Sequence, residues 1–410
     1  MKILLVNKFH NVKGGSETYY FALGDMLKKA GHEVIYFSMK DEKNVSCEQE
    51  EYFVENVDFN APMGKLQTIK ASLKILYSFE SKKKFDKLLT DEKPDIIHLN
   101  IFQSQITGSI VDVAKKHKIP IVYTAHDLKS VCPNYQMMNN GVLCEKCIKG
   151  NYTNCFKTGC MKNSKLKSLL ATMEAYMYKF KKTYEKIDLV ITPSAFYKKK
   201  IDEAGVFKCP IVHIPNFLPE GTEYSLSESG NYILYFGRLS HEKGTMTLLK
   251  AYEKANVDKP LYFVGTGPIE EQLEDYVKEH NLIDKVKLLG FKSGDELKNI
   301  VKNSLCVVLP SEWYENGPYS IMEAMAFGKP VIVSSLGGLP EMVESGVNGF
   351  IAKPFDITDL SNIIGKMCVL DKEDIVKMGN NSLNKSKILF DNLKYVDSIV
   401  KYYIQLTELI

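Results

Sequence analysis

Short, mostly apolar runs of two to five residues recur from one end of this chain to the other, separated by longer stretches in which apolar residues return every three or four positions. Runs that short, without regular polar alternation, suit strands buried on both faces, whereas the longer period suits helices with one apolar stripe. In the first half the strand candidates lie at Ile3 to Val6, Val34 to Phe37, Asp95 to Leu99, Ile121 to Thr124, Leu189 to Thr192 and Ile211 to Ile214. In the second half they lie at Tyr232 to Phe236, Leu261 to Val264, Val286 to Leu289, Leu305 to Leu309, Val331 to Val333 and Phe350 to Ile351. Strand and helix alternate throughout, which predicts an α/β chain with two Rossmann-like, doubly wound parallel sheets. The Pro, Gly and Ser rich stretch from Pro215 to Gly230 separates the halves. The expected domains are therefore 1–215 and 216–390. A helix over 391–410, apolar at Leu393, Val396, Ile399, Val400, Tyr403 and Ile404, is expected to pack back across them.

At 410 residues each half can bury its own core. The formal charge of +3 conceals an asymmetry, because residues 1–215 hold 33 basic and 23 acidic side chains and residues 216–410 hold 20 and 27. A basic first half favours an anionic partner, such as a phosphorylated acceptor or peripheral contact with a membrane. Nucleic acid is not expected, since no reader motif accompanies the charge. The apolar run after Met1 is too short for a signal peptide, and no run is long enough to span a bilayer, so the expected place is the cytoplasm or the inner face of the membrane.

Of the 53 basic residues only Arg238 is an arginine, and it sits in Tyr235-Phe-Gly-Arg-Leu-Ser-His-Glu-Lys-Gly244. A guanidinium offers a planar fork of donors that grips phosphate at two points, which an ammonium does not. Gly237 ends the preceding strand and a helical pattern begins near Thr247, so Arg238 and Lys243 occupy the kind of strand-to-helix turn that binds phosphates. A surface salt bridge is the ordinary alternative for such an arginine. A second constellation runs from Pro310 to Ile332, where Glu315 falls on a loop and Glu323 on a helix opening near Tyr319. Two such glutamates would ordinarily be solvated. Following a phosphate clamp, they read instead as parts of one site.

In order along the chain stand Gly14-Gly15-Ser-Glu17, Pro94-Asp-Ile-Ile-His98, Ala125-His126-Asp127, Ile214-Pro-Asn216, Gly237-Arg238 with Lys243-Gly244, Gly265-Thr-Gly267-Pro, Glu315 to Glu323, and Gly337-Gly-Leu-Pro-Glu341. Taken together these motifs resemble the retaining glycosyltransferases of family 4, whose GT-B fold sets two Rossmann-like domains about a central cleft. The resemblance covers nearly the whole chain and implies transfer of a sugar from a UDP- or GDP-sugar donor to a glycan or lipid-linked acceptor, in cell-surface polysaccharide assembly. It implies no cofactor, because Arg238 and Lys243 would neutralise the leaving diphosphate where other enzymes use a metal. Glu323 would accept the ribose hydroxyls, and Glu315 would contact the transferred sugar near the reacting carbon. Backbone groups around Gly317 to Tyr319 would hold its hydroxyls. Gly237, Gly14 and Gly15 would let the backbone approach the phosphates, and His126 would sit across the cleft beside the sugar. Where many relatives have Gly-Phe-Gly, this chain has Asn316-Gly317-Pro318, and proline removes an amide donor. Front-face attack through an ion pair and a two-step route with Glu315 as nucleophile both remain open.

The weaker readings are a sugar-nucleotide epimerase or phosphorylase of the same fold, or a non-catalytic sugar-nucleotide binder. A nicotinamide enzyme lacks its fingerprint, since Glu270 stands where the third glycine would follow Gly265 and Gly267.

An insert at 132–160 holds Cys132, Cys144, Cys147, Cys155 and Cys160. The spacing of the last four would suit a structural zinc site; reduced thiols and disulfides are the alternatives, the last disfavoured in a cytoplasmic chain. The insert is expected on the acceptor side, with the lysine-rich helix from Lys162 to Lys186 beside it. That helix, apolar at Leu166, Leu169, Leu170, Met173, Met177 and Phe180, could lie on a membrane or face a core, since both give the same pattern.

Overall fold

The computed structural model describes residues 1–56 and 72–408. It divides into two units, one made of Met1–Glu220 and Asn392–Ile410 and the other of Gly221–Asp391. In the first unit β1 (Lys2–Val6), β2 (Glu33–Phe37), β3 (Ile96–Leu99) and β4 (Ile121–Thr124) precede a small antiparallel hairpin, β5 (Met138–Asn139) with β6 (Val142–Leu143), inside the cysteine insert. Then follow β7 (Leu189–Thr192) and β8 (Ile211–His213), and the six longer-range strands pair in parallel in the order β2-β1-β3-β4-β7-β8. The second unit repeats the plan with β9 (Ile233–Phe236), β10 (Leu261–Val264), β11 (Val286–Leu288), β12 (Cys306–Leu309), β13 (Val331–Ser334) and β14 (Gly349–Ala352), in the order β11-β10-β9-β12-β13-β14.

The apolar runs are strands for the reason the pattern suggested. β3, β4, β7, β9, β12 and β13 are buried at every position, because helices cover both faces of each sheet. In each sheet the winding reverses once, between β1 and β3 in the first and between β9 and β12 in the second. Loops leaving the carboxyl ends of those neighbours diverge to opposite faces and leave a crevice there, the usual place for a ligand in such sheets.

The units part at Glu220, a few residues beyond the boundary expected from composition. Phe217 and Leu218 are fully buried, and the Phe217 ring lies 5.4 Å from Tyr19 and 4.5 Å from Tyr395, so this part of the linker belongs to the first core. The terminal helix, Asn392–Thr407, is counted with the first unit, and the last two residues of the expected segment lie outside the described residues. Its buried face carries Tyr395, Val396, Ile399 and Tyr403. Tyr395 shares a 2.5 Å hydrogen bond with the Tyr19 hydroxyl. Tyr403 meets His98 Nδ1 at 2.5 Å, while Nε2 of the same ring lies 2.7 Å from Thr124 Oγ1. Burial drives the His98 pKa down to about 3, so the imidazole is neutral and can donate at one nitrogen while accepting at the other.

Removing the phenol should therefore both open a cavity and orphan a buried imidazole nitrogen. Tyr403→Ala is expected to cost the first unit about 3–5 kcal/mol. The sole tryptophan, Trp313, lies in the second unit and would miss this loss. Hydrogen exchange at the β1 and β3 amides is the measurement that reports it, and unchanged protection there would refute the role given to the helix.

Candidate functional site

In the second unit the loop leaving β9 is built to approach its neighbours closely. Gly237 has φ +145°, a conformation that side chains rarely adopt, and its amide donates to Val264 O at 2.9 Å. The Tyr235 hydroxyl donates to Arg238 O at 2.7 Å, which pins the backbone and leaves the guanidinium exposed, without an ion pair among the described residues. A single 3₁₀ turn, His241–Lys243, ends at Gly244, and a Cβ there would lie 2.1 Å from Pro310 O in the loop leaving β12. The two switch-point loops are also bonded directly, Glu312 N donating to Glu242 O at 2.9 Å.

This contact places Lys243 against Glu315. One carboxylate oxygen, Glu315 Oε1, accepts from Lys243 Nζ at 2.6 Å, Ser311 Oγ at 2.6 Å and Trp313 Nε1 at 2.7 Å. Lys243 Nζ also stands 5.1 Å from the centroid of the Trp313 ring. Glu315 is 4% exposed, so it is a buried anion held by three donors and not the solvated loop residue that two glutamates near a helix would suggest. Its backbone is held as firmly: Gly338 N donates to Glu315 O at 2.7 Å, and a Cβ on Gly337 would lie 2.1 Å from that oxygen. Ser334 Oγ, at the end of β13, donates to Ser311 O at 2.6 Å and ties in a third strand.

Pro318 caps the next helix, Tyr319–Ala326, and its carbonyl takes the amides of Ile321 and Met322 at 3.1 and 3.3 Å. Gly317 and Tyr319 are its chain neighbours at the start of this helix. Glu323 lies half-buried on this helix, and burial raises its pKa to about 7. The structure thus brings Gly237, Arg238, Lys243, Glu315 and the helix bearing Glu323 to one switch point.

The first unit has its own polar cluster at the matching place. Gly14 and Gly15 are exposed at the start of the Gly15–Lys29 helix, with Gly14 extended at φ −174°. Below them Glu17 is buried, accepting from Ser16 Oγ at 2.9 Å and Asn7 Nδ2 at 3.2 Å, and burial raises its pKa. Asn7 also joins β1 to β3, its Oδ1 accepting from Ile101 N at 3.2 Å. His126 follows β4, with Nε2 2.9 Å from Asn100 Oδ1. Asn100 Nδ2 donates to Val6 O at 3.2 Å, so its oxygen must accept, and the histidine proton sits on Nε2. Burial lowers the His126 pKa to about 3, which makes it a neutral donor and not a cation. Asn7, Asn100, Ser311 and Trp313 were not singled out from sequence. Trp313 alone carried a signal, being the chain's only tryptophan beside a proposed site.

The cysteines are arranged differently from the zinc expectation. Cys155 Sγ and Cys160 Sγ lie 3.2 Å apart, but among the described residues no three His, Cys, Asp or Glu side chains are grouped to hold a metal. Cys147 and Cys155 pack with Tyr152 and Ala171 in an apolar cluster, and burial pushes the Cys147 thiol up to about 12. Cys144 is half-buried and outside that cluster.

The family model described as Glycosyltransferase Family 4 matches residues 13–220, just over half of the chain, and the model described as Glycosyl transferases group 1 matches residues 222–385. A relative from the cps region of Klebsiella pneumoniae, an uncharacterised 42.6 kDa protein, is 27% identical over 88% of this chain and 92% of its own length. The Escherichia coli UDP-Gal:α-D-GlcNAc-diphosphoundecaprenol α-1,3-galactosyltransferase is 24% identical over 88% of this chain and 89% of its own. Among solved structures, sucrose-phosphate synthase from Thermosynechococcus elongatus superposes with a TM-score of 0.73 at 21% identity, over the full length of both chains. Anabaena HepE in complex with UDP and glucose gives 0.68 at 20% identity, over 99% of this chain and 100% of that one. Two doubly wound parallel sheets, a cation-bearing switch point in the second and a family model spanning half of the chain together make this protein a member of glycosyltransferase family 4, with the two α/β domains of the GT-B fold.

Proposed function

We propose that the chain transfers a sugar from a UDP- or GDP-sugar to a glycan or lipid-linked acceptor in cell-surface polysaccharide assembly, with retention at the anomeric carbon and without a metal ion in the chemistry. The observation that carries the reading is the switch point of the second unit, where exposed Arg238 and the Lys243–Glu315 pair stand beside a carboxyl group, Glu323, that burial keeps close to half-protonated near neutral pH. The relative that acts on diphosphoundecaprenol-linked N-acetylglucosamine and the relative from a cps region support the acceptor class. The solved neighbour holding UDP and glucose supports the donor class.

The residues divide the work by charge. Arg238 and Lys243 meet the diphosphate and stabilise the charge that accumulates on it as the glycosidic bond breaks. Glu315 holds Lys243 in place before the donor arrives, so little reorganisation is needed at the moment of reaction. Glu323 receives the ribose hydroxyls, which requires the carboxylate form. His126, neutral with its proton on Nε2, belongs to the acceptor-side unit and acts through hydrogen bonding. An assay of UDP-, GDP- and ADP-sugars against a polyprenyl-diphosphate sugar, with and without chelator, tests the reading. The anomeric proton of the product, read by NMR, tests retention, and an inverted product would overturn it.

Arg238→Lys keeps the charge but loses one arm of a two-point grip, and should weaken UDP binding by the equivalent of about 1–3 kcal/mol. Calorimetric titration of UDP checks this, and an unchanged dissociation constant would sink the clamp.

Glu323 makes two predictions of opposite sign with pH. Its folded pKa, about 7, stands above the ordinary carboxylate value, so the folded protein binds the extra proton and stability is lost as pH rises through 7. Glu323→Gln should remove that loss, gaining up to about 3 kcal/mol relative to the parent between pH 5 and pH 8. Thermal unfolding followed by Trp313 fluorescence, which reports the second unit, is the measurement. Ribose hydroxyls favour the ionised form, so UDP affinity should rise about five- to tenfold from pH 6 to pH 8 in the parent beyond any rise in Glu323→Gln. Parallel pH profiles for the two proteins would contradict the ribose contact.

A further inference from the structure

The Lys165–Phe180 helix of the first unit is mounted with its amphipathic character reversed. At about 100° per residue, Leu166, Leu169, Met173, Met177 and Phe180 share an arc of about 80° on one side. Ser168, Ala171, Thr172, Ala175 and Tyr178 lie on the other. The structure buries the second set, Ala175 only in part, and turns the first outward: Leu166 is 59% exposed, Leu169 37%, Met173 44% and Phe180 85%, with Met177 half-buried.

The inward face is fixed by specific contacts. Ala171 packs on Cys147, Tyr152 and Cys155 of the cysteine insert, with Ala175 and Cys160 against the same cluster. Thr172 Oγ1 donates to Tyr152 O at 3.2 Å, and Ser168 Oγ accepts from Met161 N at 3.0 Å. Glu174 is buried and pairs with Lys129 at 2.9 Å. Rolling the helix to hide its leucines would break the ion pair and strand buried polar groups. The exposed stripe is therefore held outward by the insert beneath it.

What covers the stripe is indicated by charge. From Lys162 to Lys182 the segment carries six lysines, at 162, 165, 167, 179, 181 and 182, of which Lys181 pairs with Asp112 at 3.2 Å while Lys165 and Lys179 donate to the Lys157 and Gly150 carbonyls, and its one carboxylate, Glu174, is buried and paired with Lys129. Apolar side chains flanked by lysines, with no free acid among them, match a surface of acyl chains beneath anionic headgroups, the lysine stems reaching up from an immersed helix. No described helix is long and apolar enough to cross a membrane.

We propose that the outward face of Lys165–Phe180 docks the protein on an anionic bilayer surface, with the cysteine insert as the platform that presents it. Where this brings the first unit to a lipid-linked acceptor it rests on the transferase reading; the docking itself rests on the helix alone.

The test is sedimentation of the full chain with vesicles of phosphatidylglycerol and phosphatidylcholine, or of phosphatidylcholine alone, over a range of salt. The parent should bind the anionic vesicles and release them as salt rises. The triple variant Leu166→Ser, Leu169→Ser, Met173→Ser should bind more than tenfold more weakly. The triple variant Lys165→Ser, Lys167→Ser, Lys179→Ser should lose about fivefold per lysine and most of the salt dependence. Both should keep the parent's melting temperature and UDP affinity, because the replaced side chains are exposed and distant in sequence from the donor site. Parent protein that ignores anionic vesicles, variants that bind them as well as the parent does, or an apolar variant that instead changes the oligomeric state would each overturn the proposal. A parent that binds vesicles but neither UDP nor GDP would sink the transferase reading and leave the docking intact.

Discussion

A strand covered on both faces has nowhere to put a charge, because burying an unpaired ion costs more than any packing it allows. Both units are built from such strands, so their chemistry is pushed to the strand ends. Of those ends, the pair where the winding reverses leaves a crevice that helices do not fill. Lys243 and Glu315 follow β9 and β12, and Asn7 and Asn100 follow β1 and β3, so each unit uses the same topological position. Neither cluster needed a special fold. Each needed only polar residues where the core could not reach.

Glu315 shows what that placement costs and what it achieves. A carboxylate at 4% exposure is tolerable because three donors converge on one oxygen, and those donors come from loops after two different strands. The contact is therefore structural as well as chemical, tying the β9 loop to the β12 loop, with the Gly337-Gly338 turn closing from the β13 side. Removing Lys243 would leave the carboxylate without its counter-charge, a loss of the kind that reaches 3–5 kcal/mol at buried pairs. A substitution made to probe catalysis at Glu315 or Lys243 will thus also disturb the site's architecture. Arg238, exposed and unpaired among the described residues, separates binding from stability more cleanly.

The sheets and most of the second site were legible in the sequence because they rest on local signals. An apolar run of four residues has few alternatives in an α/β chain, and one arginine among 53 basic residues stands out against a lysine background. Less legible was whatever depends on direction. Glu315 reads from the sequence as a site residue, but sequence separation does not say that Ser311 and Trp313 turn toward it and that it is buried. The composition change suggests a domain boundary at 215, whereas Phe217 and Leu218 are buried in the first core, where the Phe217 ring meets Tyr19 and Tyr395. Cysteine spacing suggested a tetrahedral site, yet spacing alone does not make four thiols converge, and Cys147 and Cys155 turn into an apolar cluster with Tyr152 and Ala171.

The Lys165–Phe180 helix is the sharpest case of that limit. Periodicity detects that a helix has two unlike faces, but a helix lying on lipid and a helix lying on a core write the same pattern. The side that faces inward is decided by what the rest of the chain offers it. Here the insert offers small apolar side chains, a backbone carbonyl from Tyr152 and an amide from Met161, and Lys129 offers a charge. Alanine, serine, threonine and glutamate are the residues that such a surface can hold closely, and leucines could satisfy none of those polar groups. The cysteine insert thereby decides which face of the helix meets the surroundings, and a segment that resembled a metal-binding loop in the sequence becomes the element that keeps an apolar, lysine-flanked surface exposed.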